Sequence, residues 1–148
     1  MAIVELRFSA LPEHVRTARL VAAAVARRAG VDEAVLDEVR LAVGEACSRA
    51  VGLHVSHGLD TPVRVALIEE EKKFSIEVGD AAPTATAGAH GSTGSAPASS
   101  PATDGEEAES EMGLAVISGL VDDVEVITDD KGGLIRMSWP VTPEPVLP

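Results

Sequence analysis

The chain has 148 residues, of which 45% are apolar and only 2% aromatic, so a core must be built from Val, Leu, Ile and Ala. With 24 acidic against 12 basic residues the net charge is -12, which opposes binding to a phosphate backbone and excludes a nucleic-acid-binding role. One cysteine, Cys47, rules out an intrachain disulfide and a cysteine metal cluster, and reads as a small buried hydrophobe.

The N-terminal MAIVELRF lacks a basic region followed by a long apolar run, so no signal peptide is expected, and no segment reaches the roughly 20 apolar residues of a spanning helix. The expectation is a soluble, cytoplasmic protein that binds no membrane.

IVELRF alternates at strand period, which places Val4, Leu6 and Phe8 on a buried face. SALPEHVRTARLVAAAVARRAG reads as a helix, with Ser9 and Pro12 as starting signals and Gly30 as the stop. Its apolar positions are Val15, Leu20 or Ala18, Ala22, Val25 and Ala26; its polar side carries Arg16, Arg19, Arg27 and Arg28. Asp32 is a suitable cap for a second helix, in which Leu36, Val39, Leu41 or Val43, Ala46, Ala50 and Leu53 recur at helical spacing. Within that helix lies LAVGEACSRAV, where Glu45 precedes Arg49 by one turn. Opposite charges at this spacing meet on one helix face, typically for ~0.2–0.5 kcal/mol. Ser48 and His54 share the helix, but at a spacing that does not make a nucleophile and its base.

PVRVALIEEE and KFSIEVGD read as a hairpin turning around Glu71 and Lys72. Composition then shifts: residues 81–111 are Ala, Gly, Ser, Thr and Pro, closing in an acidic run. Such a segment cannot bury enough apolar surface to offset its ordering entropy, so a disordered insertion within one domain is expected. MGLAVISGLVDDV is a short apolar helix. VEVITDD and LIRMSWP are closing strands with Gly132 and Gly133 between them, and residues 141–148 form a Pro-rich extended tail. Strands grouped in hairpins with helices between them predict an α+β fold: a two-layer sandwich, mostly antiparallel, with its helices on one face.

These segments, in this order, resemble the GHKL ATPase domain, and more narrowly the bacterial anti-sigma-factor serine kinases. Pro12-Glu13 with Ala18-Arg19 is similar to the first-helix pattern of those kinases. LDEVRLAVGEACSRAV is similar to their N-box helix, and EMGLAVISGLVDDVEVITDDKGGLIRMSWP to the second glycine box with its helix and final hairpin. The resemblance implies a Bergerat-type sandwich over nearly the whole chain, with 81–111 where an ATP lid would be.

It also implies roles. The N-box of such kinases reads Glu-Ala-x-x-Asn-Ala, the Glu a candidate general base and the Asn a ligand of the Mg²⁺ that bridges the phosphates. Here it reads Glu45-Ala46-Cys47-Ser48-Arg49-Ala50. Arginine has five donors, no acceptor and a fixed charge, so Arg49 cannot ligate a cation. The first glycine box, Asp-x-Gly-x-Gly, holds the adenine amine on its Asp; here Asp80 is followed by Ala81-Ala82-Pro83-Thr84, without glycines. The second box keeps Gly113, but Glu111 replaces the glycine before it. Leu134 stands where the family often has Thr. The span where the lid would be offers no cation besides His90.

The resemblance thus implies a degenerate kinase, with Glu45 in the base position, Asp80 and Gly113 in the remnant of a nucleotide site, Arg49 in place of the Mg²⁺ ligand and no metal bound. It implies capture of a sigma factor, a STAS-domain anti-anti-sigma factor, or both, through Glu13, Arg16 and Arg19, and a homodimer through the first-helix region. No cofactor is expected. The alternative is an active serine kinase that uses ATP and Mg²⁺ to phosphorylate the STAS protein.

Overall fold

A computed structural model describes residues 2–82 and 114–141. The expected insertion beyond residue 82, with His90, Glu111 and Gly113, and the tail beyond residue 141 lie outside the described residues. The elements run β1 (Ala2–Phe8), α1 (Pro12–Ala29), a 3-10 turn (Glu33–Val35), α2 (Leu36–Ser56), β2 (Val63–Glu69), β3 (Lys73–Asp80), α3 (114–120), β4 (Asp123–Asp129) and β5 (Gly132–Pro140).

The strands form one sheet in the order β1-β2-β3-β5-β4, every neighbouring pair antiparallel. Strand period gives the sheet two unlike faces. Val63, Val65 and Leu67 of β2, Phe74, Ile76 and Val78 of β3, and Ile135, Met137 and Trp139 of β5 are buried against the helices. Each such side chain contributes about 1.5–3 kcal/mol relative to leaving it in water. Phe74 and Trp139, paired across β3 and β5, stack with centroids 6.4 Å apart, and the Trp139 indole N–H donates to Glu38 on α2 at 3.1 Å. Val4, Leu6 and Phe8 are only half-buried, because β1 is an edge. The α+β sandwich expected from the sequence is the fold observed.

Small residues set how the helices meet. Ala18, Ala22 and Ala26 of α1 and Ala42, Ala46 and Ala50 of α2 are all buried, at spacings of four that put each set on one helix face. At the two ambiguous positions Ala18 and Val43 face inward, leaving Leu20 59% and Leu41 53% exposed. Three other sequence expectations change. Leu11 rather than Ser9 caps α1, with Pro12 in its first turn. Asp32 caps the 3-10 turn through Ala34 N–H, so α2 starts at Leu36. His54 rather than Leu53 takes the last buried position of α2. Gly30 ends α1 in the left-handed conformation, φ 104°, as its type predicts.

Cys47 is fully buried, and burial pushes its thiol up from 9.0 to about 12. The native state keeps its proton while the unfolded chain ionises above pH 9, so stability falls by ~1.4 kcal/mol per pH unit between those values. Cys47→Ala should flatten that part of the pH–stability curve. In the wild type at pH 8, a thiol reagent should react only as fast as the chain opens; rapid labelling of the folded protein would contradict the burial.

Candidate functional site

The residues that the sequence singled out lie on α2, at the end of β3 and at the β4–β5 turn. Glu45, Arg49 and His54 come from successive turns of α2, and Asp80 is the last residue of β3. The structure brings Arg49 and Asp80 together: Nη1 lies 4.0 Å from Oδ2, with the two side chains 10% and 5% exposed. The ion pair predicted within α2 does not form. Arg49 reaches away from Glu45 to the strand end, because a buried guanidinium is favoured where a buried carboxylate can partly neutralise it. Glu45 is half-buried and has no hydrogen bond or ion pair among the described residues.

The Asp80 carboxylate is surrounded by donors. Ala82 N–H donates to Oδ1 at 2.9 Å, Gly133 N–H donates from the facing strand, and Arg49 approaches Oδ2. Burial nevertheless raises the Asp80 pKa, and the donors and the nearby Arg49 and His54 only partly offset it. The Arg49 pKa is lowered, again by burial first, with Asp80 opposing. Both shifts disfavour the charged forms, so desolvation outweighs attraction in this pair. Arg49 Nε is in addition buried without a hydrogen-bond partner among the described residues. A group left in that state costs about 1–3 kcal/mol.

Two features hold the strand end in place. Gly132 sits at φ 146°, and a Cβ there would lie 2.0 Å from the Asp80 carbonyl oxygen; a Cβ at Gly133 would lie 3.0 Å from Asp80 Oδ2. The glycines assigned to the turn therefore do more than turn the chain: they let β5 start against the end of β3. The second feature is His54, which the sequence offered only as an unsuitable base for Ser48 and not as a tether. It is fully buried, and its Nε2 accepts from Ala81 N–H at 2.9 Å. Nδ1 therefore carries the ring proton and donates to the Thr61 carbonyl at 2.8 Å. One side chain thus ties α2 to the start of β2 and to the residue after Asp80. Its position four after Ala50, on the buried stripe, was the available signal.

Ser48 is exposed on α2 and His54 is buried, so they make no nucleophile-base pair. No group of three His, Cys, Asp or Glu suited to a metal occurs among the described residues. Glu13, Arg16 and Arg19 are exposed on α1, apart from the Arg49–Asp80 contact. The stem of Arg19 crosses the backbone of Gly44, where a Cβ would stand 2.7 Å from its Cδ. Gly44 thus leaves room for this arginine to lie across α2. No helix among the described residues is long and apolar enough to cross a membrane.

A five-stranded antiparallel sheet with its helices on one face, and a helix carrying Glu45 and Arg49 beside the Asp80 strand end, defines a protein of the kinase-like ATPase class. A family model described as Histidine kinase-like ATPase domain matches residues 8–139, and the chain belongs to that family. Fourteen chains of solved structures match the fold. One is the crystal structure of the RsbU and RsbW domains of Rv1364c from Mycobacterium tuberculosis, with a TM-score of 0.66 and 14% identity. The match covers 95% of this chain and 32% of the other, so this chain spans about a third of that protein's length. No curated protein matches the sequence.

Proposed function

We propose that the protein is a kinase-like anti-sigma regulator that works by binding partner proteins, with ATP binding lost or much weakened. The observation that carries this reading is the contact of Arg49 with Asp80. In the kinases that the sequence resembles, the corresponding acid takes the adenine amine and the corresponding Asn holds Mg²⁺. Here Asp80 already accepts from Ala82 and Gly133 and faces Arg49, which has no acceptor to offer a cation. A nucleotide would have to displace a buried ion pair to reach the carboxylate. The matching crystal structure contains an RsbW domain, which supports placing the chain in a regulatory partner system.

On this reading the domain is single, 1–148, with its lid position taken by an insertion that carries no lysine or arginine. The partners are a sigma factor, a STAS-domain anti-anti-sigma factor, or both, in the cytoplasm, with a homodimer formed near α1. Arg19 is the leading contact residue, flanked by Glu13 and Arg16. Arg19→Glu should abolish capture of the STAS protein or the sigma factor in a pull-down, with the variant still folded by circular dichroism because Arg19 is exposed. Wild-type capture by the variant would remove the assignment of this surface.

A second reading, an active serine kinase, is favoured by one observation: the Glu45 carboxylate has no partner among the described residues and stays available as a base. Phosphoserine on the STAS protein after incubation with ATP and Mg²⁺, lost in Glu45→Gln, would establish it in place of the first.

A further inference from the structure

We propose that the free edge of β4 docks an extended segment of another protein, apolar in its middle and basic at its ends. Among the described residues β4 is the last strand of the sheet and pairs with β5 alone, in an unbroken register from Asp123↔Ser138 to Asp129↔Gly132. An exposed edge is a template for another strand, and soluble proteins usually blunt it with lysine, proline or a bulge. Asp123–Asp129 contains none of these. It also exposes apolar side chains on both faces of the sheet: Val126 is 46% and Ile127 50% exposed. An added strand would cover both, while its main chain pairs with the edge.

Charge selects the occupant. Asp122, Asp123, Glu125, Asp129 and Asp130 surround this edge, with Lys131 the one cation of the turn. A second copy pairing antiparallel about Val126 would set Asp123 against Asp129, and Asp122 against Asp130, at both ends. Like charges directly opposite destabilise a strand pair. Of the chain's own residues 83–113, Asp104, Glu106, Glu107, Glu109 and Glu111 meet the same repulsion, and 83–103 carry no large apolar side chain to cover Val126 and Ile127 and no lysine or arginine to meet the acids. A segment of a different protein, with lysine or arginine flanking alternating apolar residues, meets none of it.

The probe is a synthetic peptide, Lys-Lys-Val-Thr-Val-Thr-Val-Lys-Lys, titrated into the full chain and followed by amide hydrogen exchange and NMR shifts. Protection and shift changes should concentrate in 123–129. Asp123→Lys combined with Asp130→Lys should weaken binding at least ~10-fold, about 1.4 kcal/mol, with circular dichroism and thermal midpoint unchanged. A matching peptide ended in glutamates should not bind. Absence of β4 protection at millimolar peptide, equal binding of the glutamate peptide, or insensitivity to the charge reversal would each overturn the proposal. So would protection of β4 without peptide that grows with protein concentration, which makes the occupant a second copy, or that disappears on deleting residues 83–113, which makes it the chain itself.

Discussion

Gly132→Ala should lower the unfolding free energy by about 3–5 kcal/mol, a large share of the ~5–15 kcal/mol that a domain of this size has in total. Two costs combine. At φ 146° an L side chain is strained by roughly 1–3 kcal/mol. The new Cβ would also stand 2.0 Å from the Asp80 carbonyl oxygen, with Ala81 Cα and Asp80 C at 3.0 Å. All three are backbone atoms, so relief requires moving the end of β3 or the start of β5, at the Asp80↔Gly133 pair. Gly58→Ala is the matched control. Its φ of 63° is also left-handed, but no atom of the described residues lies within 4 Å of the added atom, so only about 1 kcal/mol should be lost. Urea denaturation of the two variants gives the difference. Equal losses would mean that the close approach of β5 to β3 does not constrain the fold.

Replacing Arg49 and Asp80 together, as Arg49→Met with Asp80→Asn, should leave stability unchanged or raise it, by up to about 4 kcal/mol. The direction follows from the shifts: the Asp80 pKa is raised and the Arg49 pKa lowered, each by burial first, so both charges are held at a cost that their contact does not recover. The Arg49 Nε, without a partner among the described residues, adds to that cost. Arg49→Met alone should behave differently. A carboxyl whose folded pKa is raised contributes stability below its unfolded value and loses it as pH rises through the folded pKa. Without Arg49 one influence that lowers the Asp80 pKa is gone, so the loss should be larger and reach to higher pH than in the wild type. Stability of the single and double variants across pH 4 to 8 tests both statements. A double variant less stable than the wild type would show that the pair contributes to folding.

The difference between what the sequence disclosed and what it hid is physical. Alternation in IVELRF and the recurrence of Ala22, Val25 and Ala26 are local signals, and the strands and helices that they predict are present. Whether Leu20 or Ala18 faces inward is decided by how closely α2 approaches, which no local pattern records; alanine won because it lets the backbones come near. The partner of Arg49 was hidden for a related reason. Helical spacing made Glu45 the obvious counter-ion, but the side chain is long enough to reach a carboxylate 31 positions along the chain, and burial rewards that choice. His54 was invisible as a tether because its two partners, Thr61 and Ala81, are backbone groups brought to it only by the sheet.

In the proposed function Arg49, in contact with Asp80, takes the place of nucleotide and Mg²⁺. The direct measurement is calorimetric titration of the full chain with ATP and Mg²⁺, beside the Arg49→Asn variant. No binding heat and no thermal shift are expected up to millimolar nucleotide for either protein, because the glycines after Asp80 are absent as well. Saturable micromolar binding by the wild type would contradict the loss of the nucleotide site.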